Sequence, residues 1–312
     1  MLLRKKIRKL LQVQKGALKM RTNDLILRGT GLLVIEVINS NPNGDPDRES
    51  DPRQRSDGLG EISPVSFKRK LRDLVEDKEC PVWLALKENL SLDEKKFGIL
   101  ESRGRDRKEI TNKEMKIGAN QTFLDTDFVK KYWDGRIFGN TFLEESMDKS
   151  TIKTGVVQFG MGLSIAPVAI QRQTNTNKAG VQEGKNQGMA PLGYRFVEHG
   201  VYTMPFFVNP NVAHKSGCTQ EDIRLLKALI PYAYSHTRSA ARPFVEIRQA
   251  WYCEHENVLG SCSDFELIEA LKPKKTSEPL TPSTSWKDYV ISTKLPEELC
   301  NKVTCTDLMK AI

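Results

Sequence analysis

The chain has no apolar run near the roughly 18 residues that a membrane-crossing helix needs. It also lacks a paired Cys-x-x-Cys among its six cysteines and holds only four histidines in 312 residues. The first absence removes a spanning helix. The basic start "MLLRKKIRKLLQVQKG" also lacks the uninterrupted apolar stretch of a secretory signal, so the protein is expected in the cytoplasm, with reduced thiols. Cys253, His255 and Cys262 have soft-ligand chemistry, but no fourth ligand stands at zinc-finger spacing. The histidines His199, His214, His236 and His255 fall in no catalytic motif, there is no GxSxG elbow, and "GMGLS" lacks the third glycine of a dinucleotide fingerprint. No metal, cofactor or catalytic residue is expected.

Acid is missing from one place in particular. Arg4, Lys5, Lys6, Arg8, Lys9, Lys15, Lys19 and Arg21 precede the first carboxylate, Asp24, and account for the whole net charge of +8. The remainder is neutral, so any affinity of the body for a polyanion rests on local clusters. Residues 1–30 read as a basic extension. Leu3, Ile7, Leu10 and Leu11 stand at near-helical spacing within it, as in a helix for a membrane surface or nucleic acid. The alternative is an unstructured extension upstream of a natural start at Met20.

What the sequence does have is a set of core elements alternating with polar insertions. "GLLVIEVINS" (31–40) reads as a buried strand. It empties into "NPNGDPDRESDPRQRSDG", where Asn-Pro, Asn-Gly, Asp-Pro and Asp-Gly mark turns and Arg48, Arg53 and Arg55 add charge. The spacing of that loop fails the EF-hand pattern from either Asn41 or Asp45. Residues 63–79 predict a helix: Ser63 caps it, Pro64 opens it, and Phe67, Leu71, Leu74 and Val75 form its apolar stripe. Lys68, Arg69, Lys70 and Arg72 crowd its N-terminal half against the helix dipole, which implies a negative group outside the chain. "TGVVQFGMGLSIAPVAI" (154–170) reads as a strand whose glycines imply a bulge or a close backbone approach. The next stretch, 171–195, is a long amide-rich loop with Arg172, Lys178 and Arg195. A third strand at 200–210, a helix at 219–234 capped by Thr219 and a fourth strand at 244–255 complete the order. The Pro/Ser/Thr-rich segment from 273 to 312 reads as a linker or peripheral tail.

The element order is β-α-β-β-α-β, so the expected fold class is α+β, a ferredoxin-like, RRM-like palm at 31–272 with large insertions. Four polar-basic clusters lie at the ends of its elements: the 41–58 loop, the first helix, 171–195, and "SHTRSAAR" with Arg238 and Arg242. Basic groups position phosphates, and amides or Met189 and Leu192 can meet bases.

Several motifs in order, "NPNGDPD", "FKRKLR", "DGRIFG" (134–139), "GVVQFG" (155–160) and "HTRSAAR" (236–242), resemble the backbone subunit of CRISPR Cascade-type effector complexes. This is the Cas-seven family, and the motifs are most similar to its type I-C (Csd-two) branch. The resemblance runs from about residue 30 to 272. It implies a hand-shaped, non-catalytic subunit with fingers at about 41–63 and 80–150 and a thumb at about 168–197. Such subunits stack head to tail on a guide RNA (crRNA) and present it for pairing with target DNA. The implied partners are copies of the chain, the guide-end-capping and processing subunit, the large and small subunits, and the helicase-nuclease. The implied RNA contacts are Asn41, Asn43, Arg53, Arg55, Lys68, Arg69, Lys70, Arg72, Arg136, Gln158, Arg172, Gln173, Lys178, Met189, Arg195, Arg238 and Arg242. The rival readings are a RAMP-type endoribonuclease using Asp45, Asp47 or His199, and a generic single-strand or messenger-RNA binder that works as a monomer.

Overall fold

The computed structural model describes residues 25–102, 104–118, 121–140, 153–178 and 189–311. The expectations for the basic segment 1–24 and for the distal part of the 171–195 insertion, residues 179–188, lie outside them.

The architecture is mixed α/β around one large antiparallel sheet. Its strands are β1 (Gly29–Ser40), β2 (Leu59–Ile62), β3 (Val157–Phe159), β4 (Gly162–Pro167), β5 (Ile170–Lys178), β6 (Met189–Val208), β7 (Val245–His255) and β8 (Val303–Asp307). The order across the sheet is β8-β7-β1-β6-β4-β2, and β3 and β5 also pair with β6. β1 sits at the centre because its residues are apolar toward both faces. Leu33, Ile35 and Val37 point into the main core, Leu32 joins a second cluster, and Val34 meets Val201 and Tyr289.

Helices α1 (Pro64–Glu76), α2 (Pro81–Asn89), α3 (Asp127–Lys131) and α4 (Trp133–Phe138) lie between β2 and β3 in the chain, and α5 (Gln220–Leu229) lies between β6 and β7. The caps are those the sequence predicts. Ser63 Oγ accepts from Ser66 N at 3.2 Å, and Thr219 forms a reciprocal capping box with Asp222. Phe67, Leu71, Leu74 and Val75 of α1 and Ile223, Leu225, Leu226 and Leu229 of α5 fill one core with the inner residues of β1.

The glycines of 154–170 do break that stretch, into β3, β4 and a two-residue pairing of Lys153–Thr154 with Gly139–Asn140. A Cβ on Gly155 would stand 2.1 Å from the Phe138 carbonyl carbon, so two backbones touch there and only glycine fits. The 171–195 insertion, expected as a loop, is instead largely a β-hairpin of β5 and β6, in register from Ile170↔Val197 to Lys178↔Met189. β1 stops pairing with β6 at Ser40↔Val197, so beyond that point the described hairpin pairs only with itself.

Two expectations are corrected. The segment after 272 is no peripheral tail: β8 is the outer strand on β7, and α6 (Asp264–Leu271) and α7 (Glu297–Cys300) help bury Leu295, Leu299 and Val303 against Leu32, Trp251 and Leu267. Its scattered apolar residues work through a preformed sheet, which local composition does not reveal. Nor are all six cysteines reduced. Cys253 and Cys305 face each other across β7 and β8 and are disulfide-bonded, while Cys80, Cys218, Cys262 and Cys300 are free thiols. A separation of 52 residues hid that pairing.

No helix among the described residues is long and apolar enough to cross a membrane. Leu295→Ala removes a side chain that is 4% exposed. If the C-terminal segment belongs to the cooperative fold, urea unfolding will show a loss of about 2–5 kcal/mol at unchanged m value.

Candidate nucleic-acid interface

The basic half of α1 borders a groove of about 660 Å3. Its walls are Val65, Lys68, Arg69 and Arg72 of the helix, Glu101, Phe138 to Asn140 at the end of α4, and Thr154, Gly155 and Gln158. Phe138 is the floor that the sequence reading missed; the Gly155 contact holds it there. Lys68 Nζ lies 5.1 Å and Arg72 Cζ 5.3 Å from the centroid of its ring. Two cations thus share one aromatic ring. The Lys68 ammonium is held below its ordinary pKa, first by burial and then by the charge of Arg72. No carboxylate lies within ion-pair distance of it among the described residues. Gln158 is exposed at the rim and donates to Gly155 O at 3.1 Å.

The other basic residues of α1 are committed within the protein. Arg69 is ion-paired with Asp73 and Glu76, and it donates to Glu101 O at 2.6 Å. Arg72 Nε donates to Asp134 Oδ2 at 2.8 Å. Lys70 turns the other way and is buried, its pKa lowered first by burial and then by Arg242.

Arg136 is the clearest departure from expectation. It is 6% exposed, with Nε and Nη2 on the two oxygens of Asp222 at 3.0 and 2.7 Å. Its remaining N–H groups go to the carbonyls of Val129, Lys130 and Lys96. All five donors are used internally, so Arg136 holds the fold together and has none left for RNA. The carboxylate partner, 86 residues away, could not be read from the sequence.

A second site forms where the hairpin leaves the sheet. A cavity of about 330 Å3 is bounded by Asn39 and Asn41 at the end of β1, Glu49 and Ser50, Gly193 to Phe196, and Ala240 and Ala241. Three of the sequence clusters therefore meet there. Asn41 is buried; its Nδ2 donates to Ser50 O at 2.8 Å, and its backbone oxygen accepts from Arg242 Nε at 3.1 Å. Asn43 Oδ1 accepts from Ser63 N at 2.7 Å, tying the loop to the start of α1. Arg195 is ion-paired with Glu49 and Asp51, and Arg172 with Asp51. The hydrogen bond from Arg172 is the largest of the effects that hold the Asp51 carboxyl below its usual range. That contribution to stability is present at neutral pH and is lost as pH falls through the depressed value. Arg53 lies near Asp45 and Glu61, and Arg55 pairs with Asp57. Gln173 and Arg238 are exposed. The side chains of Lys178 and Met189 lie outside the described residues.

A family model described as CRISPR-associated protein Cas7 matches residues 27–294. The chain belongs to the CRISPR-associated Cas7 family. A curated Cas7 protein from Haloferax volcanii is 26% identical over 215 residues, covering 64% of this chain and 61% of that relative. One solved structure titled as a CRISPR RNA-guided surveillance complex in a pre-nicking state shares 15% identity at a TM-score of 0.44, covering 73% of this chain and 78% of that one. Another surveillance complex gives 15% and 0.38, with coverages of 72% and 69%. The Cas7 match begins just before β1 and stops before α7 and β8, so the outer strand lies beyond it.

Removing one partner of a buried ion pair strands the other. Arg136→Ala is expected to cost about 3–5 kcal/mol in urea unfolding, with Arg136→Lys recovering only part, since an ammonium cannot serve five acceptors. Little loss in Arg136→Ala would show that the pair does not organise the fold.

Proposed function

We propose that this Cas7-family chain is a non-catalytic guide-RNA-binding backbone subunit of a type I CRISPR interference complex, in the type I-C branch. It assembles head to tail along the guide and presents it to target DNA in the cytoplasm, together with end-capping, large and small subunits and a helicase-nuclease. The observation that carries this reading is Lys68: a half-buried ammonium beside Arg72, on an aromatic floor, with no carboxylate partner among the described residues. An RNA phosphate would supply the missing negative charge and offset the opposed helix dipole.

The fold supports the rest. The order β7-β1-β6-β4, with α1 and α5 packed into one core, supports reading it as a ferredoxin-like palm extended by β2 and β8 at its edges. The loop at 41–63 serves as a finger and the β5–β6 hairpin as the thumb. The alternative reading is an endoribonuclease; of its candidate bases His199 is 5% exposed and bonded to Glu36 and Ser283, Asp45 caps the turn at Pro46–Arg48, and Asp47 is exposed.

The test is purification of the chain without nuclease, followed by sedimentation before and after RNase. Large RNA-containing particles that collapse with RNase are expected. For short single strands, Lys68→Ala should lower the slope of log K against log[salt] by about 0.7, one phosphate contact. Particles indifferent to RNase, or an unchanged slope, would contradict the proposal.

A further inference from the structure

The helical face of the sheet carries a second groove that RNA binding leaves unused. It encloses about 390 Å3 between α2, α5 and the turn Leu308–Ala311 after β8. Leu86, Leu90, Ala228, Pro231 and Leu308 give it an apolar lining, and its charged walls are two cations, Arg224 and Lys227. Neither has a carboxylate within ion-pair distance among the described residues; Lys227 Nζ lies 4.8 Å from the centroid of the Tyr252 ring.

The complementary chemistry stands elsewhere on the chain. Leu259, in the β7–α6 connection, and Phe265, in the first turn of α6, are each 80% exposed. They adjoin Gly260 and Asp264, which converge on Arg28: a Cβ on Gly260 would stand 2.9 Å from Arg28 Cδ, and Asp264 is ion-paired with Arg28. One fixed turn therefore presents both apolar side chains. Glu256 and Glu266 beside them are exposed. Of the cations nearby, Arg28 and Lys272 are paired with Asp264 and Glu269, which leaves Lys302, near Cys262. Exposed apolar side chains with a charged rim mark an interaction site.

Alternate residues of β7 show which side each feature occupies. Ala250 and Tyr252 pack in the core that holds α5, whereas Trp251 and Cys253 pack with Leu267 and Leu271 of α6. The groove and the turn thus lie on opposite faces of the sheet. Copies joined turn-into-groove repeat one contact in a single direction and do not close into a pair.

We propose that Leu259 and Phe265 of one copy of this chain seat in the α2–α5 groove of the next, with Glu256 and Glu266 against Arg224 and Lys227. The inference rests on the head-to-tail reading above and names its contact surfaces. An aromatic anchor in an apolar pocket concentrates the binding energy, and opposite charges at the rim set the register. None of these residues lines the α1 groove, so strand and neighbour bind at separate surfaces.

The experiment uses the full chain, stripped of co-purifying RNA by high salt, and fluorescence anisotropy with oligo(U) of six and of sixty nucleotides. Only the long strand seats neighbours. The natural sequence should fill it cooperatively. Phe265→Asp and Arg224→Glu should each raise the long-strand midpoint roughly tenfold and leave six-nucleotide affinity within about twofold. Both positions are exposed, so the substitutions spare the fold. Glu266→Arg combined with Arg224→Glu in one chain should return the midpoint to within about threefold of the natural sequence. Non-cooperative filling, an unchanged midpoint in either single variant, or a double variant no better than Arg224→Glu would overturn the contact and leave the guide-RNA reading standing. No binding to either strand would overturn both.

Discussion

The tripeptide Asp134-Gly135-Arg136 is the constraint on which the rest of the molecule depends. Its two charged side chains point to different neighbours. Asp134, 1% exposed, accepts Arg72 from α1 and the backbone N–H groups of Leu100 and Glu101. Arg136 grips Asp222, which is also the capping-box acid of α5. One short helix therefore ties α1, α5 and the 96–101 segment through buried ionic bonds whose partners are fully supplied. Such pairs tolerate little displacement, because any unpaired charge left inside costs several kcal/mol. Two residues further on, Phe138 becomes the floor of the groove, so the position of the candidate interface is inherited from this lock.

That lock also explains how the basic residues divide their work. Most arginines that a linear reading assigns to RNA are engaged with carboxylates: Arg69 with Asp73 and Glu76, Arg172 and Arg195 with Asp51, Arg136 with Asp222. They shape the loop, the hairpin base and the core. In the groove the cation without a carboxylate partner among the described residues is Lys68, above Phe138 and beside Arg72. A neutral body with one concentrated spot suits the proposed role, in which the chain would meet both a polyanion and copies of itself.

The legible part of the fold is the part whose information is local. Ser63-Pro64 and the Phe67, Leu71, Leu74, Val75 stripe define α1 within a few residues of sequence, and Thr219 with Asp222 does the same for α5. β1 and β7 announce themselves by β-branched and aromatic runs. What was not legible depends on distant partners. The outer strand β8 needs β7 to pair with, Cys305 needs Cys253, and Arg136 needs an acid 86 residues away. The hairpin reads as a loop because its strands extend past the sheet with little to bury. In the groove, Lys68, Arg72 and Gln158 were found by charge and motif, but Phe138 was not, because its role comes from a glycine contact between chain segments.

The central claim is that RNA runs along the α1–Phe138 groove. Ultraviolet crosslinking of the assembled chain to RNA, with crosslinked peptides located by mass spectrometry, tests it directly. The expected adducts lie at 64–72, 138–140 and 154–158. Adducts confined to the opposite sheet face, where Trp286 and Tyr289 cover Val34 and Val201, would contradict it.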